Sequence, residues 1–253
     1  MGGPAMDVVS VFHGDRRRSI AGPPVVLLPG MVAGAWMWGD TPRRLAACGY
    51  DVFVFSEAIG VLTHSIDAMT DIVELELDRL GIRRMTVAGA SLGSAVALRF
   101  AVRHPNRISA LVLSGAPAMT DQIFINSCGK LTRGVAELAV DRLFHDRSSL
   151  SDELLDRAFR TFRDRRMLLN LVHLMRASKT FDSATPLEAI DVETLMIWGE
   201  HDRVSRVEDW QAILPRARRG TFVTIPQCGH VPMLERPAEF NHSLMSFLQA
   251  QGA

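Results

Sequence analysis

Residues 85–100 read MTVAGASLGSAVALRF. The first four residues are nearly all apolar, and the run is short enough for a buried strand. The residues after Leu92 form a longer apolar run that reaches His104 and is closed by Pro105, as a helix would be. Between them, glycines stand two residues either side of Ser91. A joint this tight is either an ordinary turn or one shaped to push a single hydroxyl out of the backbone. The rest of the chain decides which.

Working outward, short β-like runs recur at Val25–Leu28, Val52–Phe55, Met85–Ala88, Ala110–Leu113, Leu195–Trp198 and Phe222–Ile225. Each is nearly all apolar, as strands buried on both faces of a parallel sheet are. Helical patterns separate them. Ile66, Met69, Val73, Leu77 and Leu80 fall on one helical stripe, with Gly81 as its stop. Pro42 opens a short helix that ends at Gly49, and Pro237–Gln249 places Phe240, Leu244, Phe247 and Leu248 inward. Alternating strands and helices predict an α/β fold: a mostly parallel, doubly wound sheet flanked by helices. Val8–Phe12 and the segment before Gly22 are expected to add an N-terminal antiparallel hairpin.

The rhythm breaks after the strand at about 110–114. From Ala118 to Pro186 only helical signals occur, and MLLNLVHLM at 167–175 is apolar nearly all round. A helix of that kind needs cover on several sides. The expected organisation is therefore a core of residues 1–117 and 187–253, with residues 118–186 as a helical cap over the sheet's C-terminal edge.

Composition removes several functions. Lys plus Arg and Asp plus Glu are 28 each, for a formal net charge of +0, and no basic run interleaves with aromatics, which argues against nucleic-acid binding. No stretch of about 18 apolar residues could span a membrane. The three cysteines, Cys48, Cys128 and Cys228, are odd in number and far apart. That is neither a disulfide framework nor a metal-site spacing, and it fits reduced thiols in a cytoplasmic protein. No cofactor and no metal is expected. The N-terminus, MGGPAMDVV, lacks the apolar stretch of a signal peptide.

GASLG sits after a strand and opens a helix, the setting in which G-x-S-x-G forms a strained turn that exposes the serine. The pattern alone arises by chance about once in ten chains of this length, so its partners matter. A serine hydroxyl needs a base, and the base an orienting acid. Asp202 follows the strand Leu195–Trp198 in GEHDRV, and His230 follows Phe222–Ile225 in PQCGHVPMLERP. Both lie at strand ends, on the sheet edge where open α/β folds bind ligands. Asp202 has a second reading as a cap for a helix beginning near Ser205, with Glu200 then the substitute acid. The other seven histidines fall on hairpin, loop, helix or cap positions and read as structural. Oxyanion donors are expected at the backbone N–H groups of Leu92 and of Met31, the latter in the loop PGMVAGAWMWG. Trp36, Trp38, Met119, Phe124, Met167, Met175 and Met233 are the candidate lining of an apolar substrate pocket.

VVLLPG, GAWMW, GASLG, WGEHD and GHVPMLERP together resemble the corresponding segments of the α/β-hydrolase fold family, from about Val25 to Leu248. The resemblance implies Ser91 as nucleophile, His230 as general base and then acid, and Asp202 as its orienting acid. Serine at this position sets the chain apart from dehalogenases and epoxide hydrolases of the fold, which carry aspartate there. GMVAGAWMW is similar to the esterase and hydroxynitrile-lyase branch, but the lyases place lysine after the histidine, where this chain has Val231. The chain also departs from the family at Pro29, usually histidine, in SEAIGVLTHS, often Asp-x-x-Gly-x-Gly-x-Ser, and at Ser94, usually a second glycine.

The expected activity is a serine hydrolase for an ester or thioester of a small hydrophobic or aromatic compound. Two alternatives stand beside it. One is a C–C bond hydrolase of a diketone-like acid, using the same three residues. The other is a receptor that binds a small ligand on this fold without turnover.

Overall fold

In a computed structural model the chain builds one seven-stranded sheet. The structure describes residues 9–15, 22–31, 33–55, 63–117, 141–146 and 181–251, with single positions between 148 and 177. The strands are β1 (Val9–Phe12), β2 (Val25–Leu28), β3 (Val52–Phe55), β4 (Met85–Ala90), β5 (Ile108–Ser114), β6 (Glu193–Gly199) and β7 (Gly220–Ile225). Their order is β1-β3-β2-β4-β5-β6-β7. β1 runs antiparallel to β3, and every other pairing is parallel.

The helices connecting them are α1 (Thr41–Ala47), α2 (Ile66–Arg79), α3 (Leu92–Arg103), α4 (Ala184–Ala189), α5 (Val207–Ile213), α6 (Pro232–Glu235) and α7 (Pro237–Gln251). α2 starts where Ser65, in extended conformation, accepts the Ala68 N–H on its Oγ at 3.1 Å, satisfying one of the amides a helix start leaves open. Gly81, at φ +70°, ends it in a conformation that costs glycine nothing. Of the expected stripe, Ile66, Met69, Val73 and Leu77 are buried.

Alternation along the strands sorts the core into two layers. Val26, Leu28, Met85, Val87, Leu111, Leu113, Met196 and Trp198 face α2, α3, α4 and α5. Val25, Leu27, Val52, Val54, Ala88, Ala90, Val112, Leu195 and Ile197 face Trp38, Leu45 and the α7 residues Phe240, Leu244 and Leu248. A sheet covered on both sides explains why its central strands read as unbroken apolar runs. β7 is the exception: on this edge strand Thr221 and Thr224 are exposed.

Of the expected N-terminal hairpin, Val9–Phe12 is a strand and pairs antiparallel with β3, Val9 opposite Phe55 and Phe12 opposite Val52. It caps the open edge of the sheet, an edge that would otherwise present unpaired backbone groups. The segment before Gly22 lies outside the described residues. So does most of the region expected as a cap, though residues 141–143 and 173–174 are helical and Leu174 is fully buried. α4 begins at Ala184, just inside the expected cap boundary.

Chain order reverses direction in the sheet between β2 and β4. From β2 the chain moves outward to β3, then returns to place β4 on the other side. Loops leaving the carboxyl ends of these two strands diverge, and the crevice between them is the usual ligand position in open α/β sheets. Residues 29–34 leave β2 there, and Ser91 leaves β4.

Phe240 is fully buried and its ring packs 6.3 Å from that of Trp38. Phe240→Ala is expected to lower unfolding free energy by about 3–5 kcal/mol, read as a lower urea midpoint with an unchanged slope. A loss under about 1 kcal/mol would mean that α7 can collapse onto the sheet without this ring.

Candidate active site

Ser91 follows the last residue of β4 and precedes the first of α3. Its φ is +51° and ψ −122°. Among the described residues only Gln227 shares a positive φ without being glycine. Such a conformation is strained for a residue with a side chain and persists only where its surroundings over-determine it. Those surroundings are visible. The Ser91 N–H donates to the Ser114 carbonyl at the end of β5 at 2.7 Å, and the Ser91 carbonyl accepts the Ser94 N–H at 2.9 Å. The two glycines of GASLG make the crossing possible. A Cβ on Gly89 would run into the Gly93 carbonyl and Ser94 Cα, and one on Gly93 into the carbonyls of Leu28 and Pro29.

Ser94, fully buried, adds a side-chain tie. Its hydroxyl donates to the Gly89 carbonyl at 2.8 Å and accepts the Ser114 N–H at 3.2 Å. In place of the expected glycine, this hydroxyl staples the turn to β5. Its partner lies 20 residues away, beyond the reach of any local sequence pattern.

The β2 loop closes on the same point. A Cβ on Gly30 would stand 3.2 Å from Ser91 Cβ, so the loop backbone lies directly against the serine. The Gly30 N–H donates to the Met37 thioether at 2.9 Å, which fixes this loop from within. Met31 follows Gly30 and is half-buried, and Leu92 is the first residue of α3. The first amides of a helix have no partner inside it and carry the positive end of its dipole.

Asp202 and His230 meet at the other side. His230 Nδ1 lies 2.8 Å from Asp202 Oδ2, with the two side chains 2% and 1% exposed. An ionised carboxylate only accepts, so the proton between them sits on Nδ1 and leaves Nε2 as the basic nitrogen. The other Asp202 oxygen accepts the Val204 and Ser205 N–H groups at 2.8 and 2.9 Å. The capping reading of Asp202 and the partner reading are thus both present, one per oxygen. What it caps is a loop: α5 starts later, at Val207, without a side-chain cap. Glu200, the substitute acid, is exposed and accepts the Gln227 N–H at 3.1 Å.

One corner joins the two halves. Gly115 has φ +58°, and a Cβ there would stand 2.6 Å from His230 Cε1 and 3.3 Å from Nε2. The imidazole therefore packs directly against Gly115, and only glycine leaves room for it. Gly115 directly follows Ser114, whose carbonyl holds the Ser91 N–H. Serine and histidine are seated on consecutive residues of the β5 exit. The next residue, Ala116, is anchored in turn: its carbonyl accepts the Ser205 hydroxyl at 2.5 Å and the Trp210 Nε1–H at 3.0 Å. Asp202, through Ser205, is tied to the same strand exit.

The remaining candidates separate. Trp38 and Met233 are core residues, 0% and 1% exposed, while Trp36 is half-buried at the margin of that core. Met119, Phe124, Met167 and Met175 lie outside the described residues. Cys228 is fully buried. Burial first, then the Glu235 charge, push its thiol far above the usual range, so it stays protonated and unreactive at neutral pH. Among the other histidines, His104 sits 3.1 Å from Glu74 and His145 stacks on His201. Among the described residues no three His, Cys, Asp or Glu side chains group as metal ligands, and no helix is long and apolar enough to cross a membrane.

Known proteins place the chain in a family. A curated relative, the 2-hydroxy-6-oxononadienedioate/2-hydroxy-6-oxononatrienedioate hydrolase 2 of Pseudomonas putida, is 28% identical over 255 residues, covering 89% of this chain and 87% of the relative. The 2-hydroxy-6-oxo-6-phenylhexa-2,4-dienoate hydrolase of Comamonas testosteroni is 26% identical over 253 residues, covering 90% and 88%. Among solved structures, a meta-cleavage product hydrolase from Pseudomonas fluorescens IP01 superposes with a TM-score of 0.81 at 20% identity, over 96% of this chain and 93% of that one. An esterase from Exiguobacterium antarcticum also reaches 0.81, at 19% identity over 95% and 94%. The model of the alpha/beta hydrolase family matches residues 25–243, from β2 into α7. With that span and this strand order, the chain belongs to the alpha/beta hydrolase family.

Proposed function

We propose that this hydrolase works through Ser91 as nucleophile, His230 as proton carrier and Asp202 as the acid that orients it. The observation that carries the reading is the β5 exit, where Ser114 holds the Ser91 amide and Gly115 seats the His230 ring. His230 Nε2 takes the proton as Ser91 Oγ attacks a carbonyl carbon. Asp202 stays ionised and stabilises the imidazolium that forms. The N–H groups of Leu92 and Met31 are assigned to the developing oxyanion; one such donor typically contributes about 10²–10³ in turnover. His230 then protonates the departing group, and water, deprotonated by the same Nε2, releases the acyl group from Ser91.

The bond cleaved is assigned first to an ester or thioester of a small hydrophobic or aromatic compound. An alkoxide or thiolate leaves with one proton from His230, and the three residues need no further group.

Carbon–carbon cleavage is the second reading, and the curated relatives favour it. They are named for 2-hydroxy-6-oxo dienoates, which contain a ketone and no ester. Hydrolysis of such a compound needs a carbon leaving group. The 2-hydroxy dienoate portion supplies one by tautomerising to a keto form before cleavage, so that electrons of the broken bond enter a conjugated enolate.

Three measurements check this. A fluorophosphonate probe is expected to label the wild type rapidly and Ser91→Ala not at all; labelling that survives in Ser91→Ala would remove Ser91 from the chemistry, and an unlabelled wild type would support a receptor. Asp202→Asn is expected to lose about 10⁴ in kcat with its fold intact, by disturbing the imidazole tautomer. A panel of chromogenic esters and thioesters, run beside 2-hydroxy-6-oxo-6-phenylhexa-2,4-dienoate, separates the two bond classes. A kcat/KM on the dienoate well above that on every ester would replace the first assignment by the second.

A further inference from the structure

Glu235 is a carboxylate 7% exposed at the end of α6, and the chemistry above makes no use of it. Burying a carboxylate is expensive unless strong hydrogen bonds replace its water. Here both oxygens are used on backbone amides. Oε2 accepts the Gly229 N–H at 2.7 Å and Oε1 accepts the Asp146 N–H, also at 2.7 Å. A third bond closes the ring: the His230 N–H donates to the Leu143 carbonyl at 2.7 Å. The two consecutive peptides Cys228–Gly229 and Gly229–His230 are therefore pinned, the first through its N–H by Glu235 and the second by the Leu143 carbonyl.

The site has no slack in which to drift. A Cβ on Gly229 would lie 2.7 Å from both the His145 N and the Leu143 carbonyl, so segment 143–146 packs straight onto the histidine loop. The same segment reaches the Asp202 loop. His145 stacks on His201 with ring centroids 4.2 Å apart, and Arg203 Nη1 donates to the Asp141 carbonyl at 3.4 Å. Residues 141–146 thus touch the loops that carry both the acid and the base, and the Glu235 carboxylate joins them to the Gly229 amide.

We infer that Glu235 is a positioning residue: its carboxylate, bridging Gly229 and Asp146, sets the backbone from which His230 reaches Asp202. The inference rests on the proposed role of His230 for its effect on rate. Its structural content, the alignment of the imidazole with Asp202, stands apart from whether Ser91 is the nucleophile. A carboxylate is the group the site needs because it offers an acceptor to each of two converging donors. An amide of the same size offers one acceptor and turns N–H groups toward the other donor.

The test compares wild type, Glu235→Gln and Glu235→Asp. Gln keeps the size and loses one acceptor; Asp keeps the charge and, one methylene shorter, cannot span both amides. Two readouts are taken on folded protein: steady-state kinetics with the best ester or dienoate substrate, and the downfield proton signal of His230 Nδ1–H, with Asp202→Asn as the reference for its loss. Expected are a fall of about 10–100-fold in kcat, the scale of an ångström-size misplacement, with KM nearly unchanged and a shifted or broadened Nδ1–H signal. If Glu235→Gln fails to fold, Glu235→Asp carries the same two readouts. Unchanged kcat together with an unchanged Nδ1–H signal in a folded variant would overturn the inference. A moved proton signal in a chain whose Ser91 proves uninvolved would leave the positioning intact and overturn only the nucleophile assignment.

Discussion

The hydrogen bond from the Ser91 N–H to the Ser114 carbonyl is the contact on which the site depends. It couples the end of β4 to the end of β5 at the position where Ser91 adopts a strained backbone conformation. Without an anchor of that kind the residue would relax toward an ordinary negative φ and its side chain would swing away. Ser94 reinforces the anchor from the first turn of α3, and the glycines at 89 and 93 let helix, strand and the β2 loop approach to backbone contact. The strain is local, and the packing that supports it is spread over three strands.

The β5 exit then serves as a shared seat. Ser114 holds the serine backbone, Gly115 receives the imidazole, and Ala116 accepts two side-chain donors from the region of Asp202. Three consecutive residues with almost no side-chain chemistry of their own thereby set the relative placement of three that have it. The acid partner is held by the same logic: one carboxylate oxygen is given to the loop that positions it and the other to the ring it orients. A carboxylate with four lone-pair directions can do both, and burial of the pair makes the interaction strong and directional.

Burial also reads differently for residues that look chemical by type. Cys228 lies next to the histidine loop but in a dry setting beside the Glu235 charge, which keeps it a thiol. Trp38, an attractive pocket candidate by position in its motif, is a core residue against Phe240. In each case the residue type alone was ambiguous, and its solvation decided the matter.

The alternating apolar runs determined the strands, because a strand covered on both faces must be apolar throughout. The order Ser91, Asp202, His230, each just past such a strand, determined which carboxylate and imidazole belong on one sheet edge; the Nδ1–Oδ2 distance agrees with it. What local sequence could not decide was whatever depends on a partner far along the chain. The pairing of Val9–Phe12 with β3, 40 residues or more along the chain, is one case, set by an open sheet edge. The role of Gly115, the staple at Ser94 and the clasp at Glu235 are others. Each acts on backbone N–H or C=O groups or against a ring, and nearly every residue carries both backbone groups, so no residue type in the linear text marks the partner. Tertiary structure alone chose among them, because only folding brings one particular amide within hydrogen-bond reach of one particular oxygen.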